Sequence, residues 1–275
     1  MRQGAADALA EVQSPSMNLL ALDTCDARGS VCVLRDSEVL QSVEHDSSDD
    51  YSLWLLPAID RALQCAGLTF PDIDVYVAAS GPGSFTGVRV GLTTVKAWAE
   101  VTDKPIVGVS RLEALAIQAD PAAGECVAAF TNAQRKQIFG ALYRRNSDGK
   151  DSGHTLTRIG DEAVIAPEAF LSWAVENSTG LPLRWISTDP EMLTETEAWA
   201  LRQKESGTRL VDNAAGVSVQ PASPNLAPAI GKLGYRLATK KEFVDPLRLD
   251  ANYVRRSDAE VSWIDRQERA SKTAG

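Results

Sequence analysis

The 275-residue sequence predicts an α/β protein built as two similar units, each a mixed sheet covered by helices. Three observations predict it. Short apolar runs separated by tight-turn residues open the chain at 18–45, and strand and helix patterns then alternate to residue 119. A second strand meander opens at 126, after the turn-rich segment DPAAGE at 120–125. Apolar residues make up 44% of the chain and charged residues 24%, enough to bury a core for each unit.

The elements follow in order. NLLALDTC, 18–25, is apolar on both faces, as suits a strand covered by helices. DARG and DS then link it to SVCVLR, 30–35, and EVLQSVEH, 38–45, as antiparallel neighbours. SSDD at 47–50 caps a helix over 51–66, and Gly67 ends it. DVYVAAS, 74–80, is a strand. After the glycine-rich segment GPGSFTG, 81–87, a helix runs from Val88 to about Thr102. IVGV, 106–109, is a short buried strand, and SRLEALAIQA, 110–119, starts with a capping box of Ser110 and Glu113.

The second unit reads CVAAFTNA, 126–133, QIFGALYRR, 137–145, and a strand resuming at TLTRIG. A helix at 167–178 starts with proline. The segment 183–188 reads as a strand, 196–205 as a short helix and 208–213 as a strand. A last helix spans 225–243, and the end lies extended on a surface. The expected organisation is a loose, dispensable extension at 1–16, a first domain at 17–119, a second at 120–225, and a C-terminal helix and tail at 226–275.

Charge narrows the function. The formal net charge is -9, and only residues 231–275 are basic, with 10 basic against 7 acidic side chains. Such a surface repels a phosphate backbone, so the chain is not expected to be a principal nucleic-acid grip. The cysteines, at 25, 32, 65 and 126, form no CxxC pair and read as buried free thiols in a reducing compartment. Two histidines, His45 and His154, give no basis for a metal site. There is no apolar run of membrane-spanning length, and residues 1–16 lack a signal-peptide core, so a cytoplasmic protein without membrane partners is expected.

Two features carry function. The first is the loop at 81–87 between strand and helix. Its spacing, GxGxxxG, is neither the dinucleotide fingerprint nor a Walker loop. Gly83 and Gly87 permit positive φ or close backbone approach, and amides at the following helix start suit an anion. Asp23, at the end of the first strand, either handles metal-bound phosphate or caps a turn. No acid–base set can be built around it, so no catalytic residue is assigned. The second feature is apolar excess. In helix 88–102, Val88, Leu92, Val95 and Ala99 share one side, while Val90, Ala97 and Val101 share the other. In helix 51–66, apolar residues including Trp54, Leu55, Leu56, Ala58 and Ala62 cover more than half of the circumference. One core accommodates one stripe. Either a partner or another part of this chain must cover the rest.

The segments MNLLALDTCDARGSVCVL, YSLWLLPAIDRAL, GPGSFTGVRVGLTTVKAWAE with GVSRLEALA, NAQRKQIFGALY and NYVRRSDAE resemble the TsaB family, over 17–145 and in part 246–260. Tyr51 stands where the family usually has histidine, and Asn132 where it usually has aspartate. The resemblance implies two RNase H-like domains of the ASKHA, actin/Hsp70-like type. It implies a non-catalytic scaffold, without cofactor, for a TsaD-type transferase that makes N6-threonylcarbamoyladenosine in tRNA, with a TsaE-type ATPase joining the pair. tRNA would be met only through the complex, and the chain would form a homodimer in isolation. Trp54, Leu55, Ala58, Ala62, Gly87, Val90, Gly91, Thr94, Ala97, Trp98 and Val101 are the expected interface. Trp54 would be the large anchor, and Gly87 and Gly91 would let a partner helix approach. Asp23, Thr24, Gly81, Gly83 and Ser84 would be vestigial phosphate contacts. An autonomous kinase or ATPase of the same superfamily is the rival reading.

Overall fold

A computed structural model describes residues 16–45, 50–146, 155–205 and 218–254. The expected extension at 1–16, apart from Ser16, and the expected strand at 208–213 lie outside the described residues.

The first sheet runs β3-β2-β1-β4-β5. Strands β1 (Asn18–Asp23), β2 (Ser30–Arg35) and β3 (Glu38–Glu44) form the antiparallel meander, and β4 (Val75–Ala79) and β5 (Ile106–Val109) add in parallel. The second sheet repeats this order as β10-β9-β6-β7-β8. Its meander is β6 (Cys126–Asn132), β7 (Ile138–Arg145) and β8 (Leu156–Ile165), followed in parallel by β9 (Leu183–Ser187) and the three-residue β10 (Val219–Pro221). The duplication hinted at by two opening meanders is therefore present strand for strand.

Helix α1 (Tyr51–Ala66) closes on Gly67 in the left-handed region, which a residue without Cβ adopts freely. Helix α2 (Phe85–Thr102) begins three residues before its expected start. Ser84 is its cap, accepting from the Gly87 amide at 3.1 Å. Helix α3 (Arg111–Ile117) is capped by Ser110, which accepts from the Glu113 amide at 3.2 Å. The Glu113 carboxylate turns away to Arg236 at 2.9 Å, so only half of the expected capping box forms. In the second repeat, α4 (Pro167–Asn177), α5 (Glu191–Thr194) and α6 (Glu197–Glu205) precede α7 (Ala227–Thr239), four residues shorter at its end than expected.

Strand parity fixes which helix covers which face. Leu34 on β2 and Val77 on β4 point to α7, where Gly231 and Gly234 leave room for them. Tyr76, on the opposite face, meets Trp98 of α2 with ring centroids 5.5 Å apart. Thus α7 and the α1–α2 pair lie on opposite faces of the first sheet. The helices also cross over. α3 packs on β6, β7 and β9 of the second sheet, while α7, last in the second repeat, packs on β1, β2, β4 and β5. One core runs from the first sheet through α3 and α7 to Val127, Ala129, Phe139 and Tyr143 of the second. The segments 120–225 and 226–275 thus divide the chain by covalent order, whereas α7 belongs to the first lobe by packing.

Candidate functional site

The glycine-rich loop and the end of β1 meet as the sequence suggests, but the chain itself fills the space between them. Asp23 has no exposed surface. Its Oδ1 accepts from the Cys25 amide at 2.9 Å, and its Oδ2 from Arg111 Nε at 3.1 Å. Arg111 is also buried and reaches Asp26 at 3.2 Å. Burial opposes its charge, but the carboxylates of Asp23 and Asp26 outweigh burial and raise its pKa above the ordinary arginine value. Burial, helped by the Asp23 charge, pushes the adjacent Cys25 thiol well up, so it stays neutral.

The other four expected phosphate contacts also have internal tasks. Thr24 donates its hydroxyl to the Gly87 carbonyl at 2.6 Å. Ser84 caps α2, and its amide donates to the Cys25 carbonyl at 2.7 Å. Gly83 keeps negative φ and serves close approach instead: an added Cβ would lie 2.3 Å from the Cys25 carbonyl oxygen. Gly81 holds the positive φ, 106°, beneath the backbone of Asn252. These residues do not fit a nucleotide phosphate. The carboxylate is neutralised by a built-in cation, and the amides of Ser84, Gly87 and Val88 are already satisfied within the chain. Among the described residues no three of His, Cys, Asp and Glu converge as a metal site.

Asp23 opens a chain of charges that crosses to the second lobe. Asp26 meets Arg28 at 3.5 Å, and Arg28 meets Asp189, just past β9, at 2.8 Å. Burial opposes the Asp189 carboxylate charge. Hydrogen bonds from Thr188, Thr131 and the Asn132 amide, with the Arg28 charge, outweigh that effect and lower its pKa. Asn132 and Tyr51 both sit at this junction. Asn132, at the end of β6, accepts from the Gln134 amide at 2.7 Å and shapes the turn to β7. Tyr51 donates to the Asp26 carbonyl and packs with His45 and Trp54.

The outer side of α1 and α2 forms a groove of about 710 Å³. The two stripes of α2 separate as expected: Val88, Leu92, Val95 and Ala99 are buried, while Ala97 faces out and Val101 is 84% exposed. On α1, Leu53 and Leu56 are 69% and 59% exposed. α7 lies on the far side of the sheet and does not cover this face. Val90, Thr94 and Trp98 line the groove half-buried, and Trp54 is half-buried against His45 rather than projecting as an anchor.

Four expected interface residues face inward instead. Ala58 and Ala62 are buried on the core side of α1, because the helical repeat that exposes Leu53 and Leu56 turns them to the sheet, while Leu55 is buried but still lines the groove. Gly87 and Gly91 admit this chain's own Thr24, not a partner: added Cβ atoms would lie 2.0 Å from its carbonyl oxygen and 2.6 Å from its hydroxyl. Cys65, expected to be buried, is exposed at the end of α1.

Sequence reasoning missed Arg111, Phe85 and Tyr253. Arg111 follows a helix cap in an apolar run, and a carboxylate on a buried strand demands a cation, but nothing local says which one. The other two meet only through the fold.

Two duplicated lobes, joined by helices that cross between them, form an actin/Hsp70-like (ASKHA) fold. YeaZ from Pseudomonas aeruginosa has the same fold, with a TM-score of 0.62 at 23% identity over 86% of this chain and 99% of that one. A family model described as TsaD, tRNA N6-adenosine threonylcarbamoyltransferase, matches residues 40–192, more than half of the chain. The tRNA threonylcarbamoyladenosine biosynthesis protein TsaB of Escherichia coli (strain K12) is 30% identical over 213 residues, 77% of this chain and 85% of the relative. The TsaB protein of Bacillus subtilis (strain 168) is 27% identical over 251 residues, 91% of this chain and all of the relative. The chain belongs to the TsaB family, within the wider group that the TsaD model describes.

Proposed function

We propose that this chain is the TsaB-type subunit of the machinery that makes N6-threonylcarbamoyladenosine in tRNA, and that it docks a TsaD-type transferase through the α1–α2 groove. It carries out no group transfer itself; its role is to hold and activate the transferase, with a TsaE-type ATPase joining the pair in the cytoplasm. In isolation a second copy takes the same face. Family membership supports the pathway. The observation that carries the docking face is the set of exposed apolar side chains on two adjacent helices, Leu53 and Leu56 on α1 and Phe85 and Val101 on α2, of which Phe85 is partly covered by Arg89 and Tyr253. Burying a leucine of this kind contributes about 1.5–3 kcal/mol, so a few of them sustain association. Occupation of Asp23 by Arg111 supports the non-catalytic part of the reading.

The test uses the TsaD protein of the same organism. L56E and A97E each place a carboxylate in the groove at exposed positions, so the monomer folds. Both are expected to abolish copurification with that protein and self-association in light scattering, with unchanged circular dichroism. Wild-type assembly by both variants would move the interface elsewhere.

A further inference from the structure

Among the described residues the groove is lined by twelve, and Arg89 is the only charged one. Its position is unusually well defined. The guanidinium lies 3.6 Å from the Phe85 ring centroid, and its Nε donates to the Tyr253 hydroxyl at 2.7 Å. Tyr253 in turn stacks on Phe85, centroids 5.5 Å apart and planes 29° from parallel. Both rings are 43% exposed, so the stack stands at the rim of the groove.

Tyr253 is far from α2 in the chain and is delivered there by a strap at 249–253. Leu249 is buried above Gly108 on β5, in space that a Cβ would take. The Asn252 amide donates to the Ser80 carbonyl at 2.7 Å, and its side chain donates to Glu162 on β8. Glu162 also accepts from Ser110 and from Tyr143 at 3.1 Å, and so ties the strap to the second lobe. With Nε committed to Tyr253, the Nη groups of Arg89 make no hydrogen bond or ion pair to the described residues.

Docking on this groove removes Arg89 from water. A buried, unpaired cation costs several kcal/mol, which would cancel the gain from one or two buried leucines. The partner must therefore neutralise it. We propose that Arg89 is the polar anchor of the docking face, that its two Nη groups take a carboxylate of the transferase subunit, and that Tyr253, positioned by the strap, holds the guanidinium in the plane that this requires. A planar fork matches a carboxylate in two parallel hydrogen bonds, and stacking removes rotamer freedom before binding. The inference rests on the docking reading and deepens it.

Affinity for the TsaD protein of the same organism is measured by calorimetry for the wild type, R89A, R89K, Y253A, R89A/Y253A and the groove control A97E, each checked for an unchanged melting temperature. R89A is expected to bind about 10- to 100-fold more weakly, the range for a charge-assisted bond at an interface. R89K keeps the charge but not the fork and should recover less than half of that loss in log Kd. Y253A should weaken binding about three- to tenfold, and R89A/Y253A should be no weaker than R89A alone, because the tyrosine acts through the arginine. Loss of binding in A97E with wild-type affinity in R89A would leave the docking face standing and overturn the anchor. Full additivity of R89A and Y253A would overturn the positioning role. Wild-type binding by A97E would instead overturn the docking reading itself.

Discussion

The Asp23–Arg111 pair shows how one side chain can decide what a cleft does. A carboxylate at the end of the first strand is legible in the sequence as a phosphate or metal contact. The structure commits both of its oxygens and pairs it with a buried guanidinium. The functional consequence depends on a residue 88 positions away, which local pattern cannot assign. Removing the cation leaves a carboxylate without solvent, and breaking a buried pair from one side costs about 3–5 kcal/mol. R111M is therefore expected to lose that much stability in urea unfolding. D23N/R111M should recover part of it, since an amide oxygen still accepts from the Cys25 amide and no charge remains. A loss below about 1 kcal/mol in R111M would mean that water reaches Asp23 and that the pair does not close the site.

Among the elements, α2 best separates what was legible from what was not. Its two apolar stripes are visible as a 3.6-residue repeat, and the fold buries one and leaves the other open, with Val90 half-buried and Ala97 and Val101 exposed. The wheel shows which residues share a side, but not which side meets the sheet. On the wheel alone Gly87 and Gly91 offer room for a partner; in the fold that room is taken by Thr24. The helix start was missed because a glycine in the first turn reads as loop, while the Ser84 cap that outweighs it lies in the glycine-rich motif. β10 was missed because three residues carry no periodicity. The β1–β3 meander was legible throughout, since its turns and alternation agree. The two glycines are distinguishable by experiment. Alanine normally gains about 1 kcal/mol over glycine inside a helix. At 87 its Cβ would meet a backbone oxygen at 2.0 Å, so strain should win and G87A should lose about 1–3 kcal/mol net. At 91 the obstacle is the Thr24 side-chain oxygen, which can shift with χ1 at the cost of its bond to the Gly87 carbonyl, so G91A should be milder than G87A. Equal melting temperatures for G87A and the wild type would show that Thr24 does not pin α2.

For the whole molecule, the two repeats are similar in topology but not independent in packing. Residues 120–125 connect α3 to the second meander, and turn-forming residues mark that connection in the sequence. Composition does not show that α3 and α7 exchange sides, since each is an ordinary amphipathic helix whose target sheet is chosen by the fold. The exchange makes the core continuous. Leu34 and Val77 of the first sheet pack on α7, whose first amide donates to Ser30 at 3.0 Å, and α3 covers β6, β7 and β9. A fragment of residues 17–119 therefore keeps every strand of the first sheet but loses the cover of one face, where Leu19, Ala21, Cys32, Leu34 and Val77 lie. It also leaves the outer side of α3 bare. Burial of those side chains contributes roughly 1.5–3 kcal/mol for each large one, as much in total as the whole stability of a typical domain. The fragment should show no cooperative urea transition and should bind a hydrophobic dye. Fusing residues 225–254 to it through a flexible linker should restore a transition of lower midpoint than that of the full chain, because α7 then covers the sheet while α3 remains half-covered. A cooperative transition in the 17–119 fragment alone, at the full chain's midpoint, would show that the first lobe is self-sufficient and that the crossed helices only dock on finished domains.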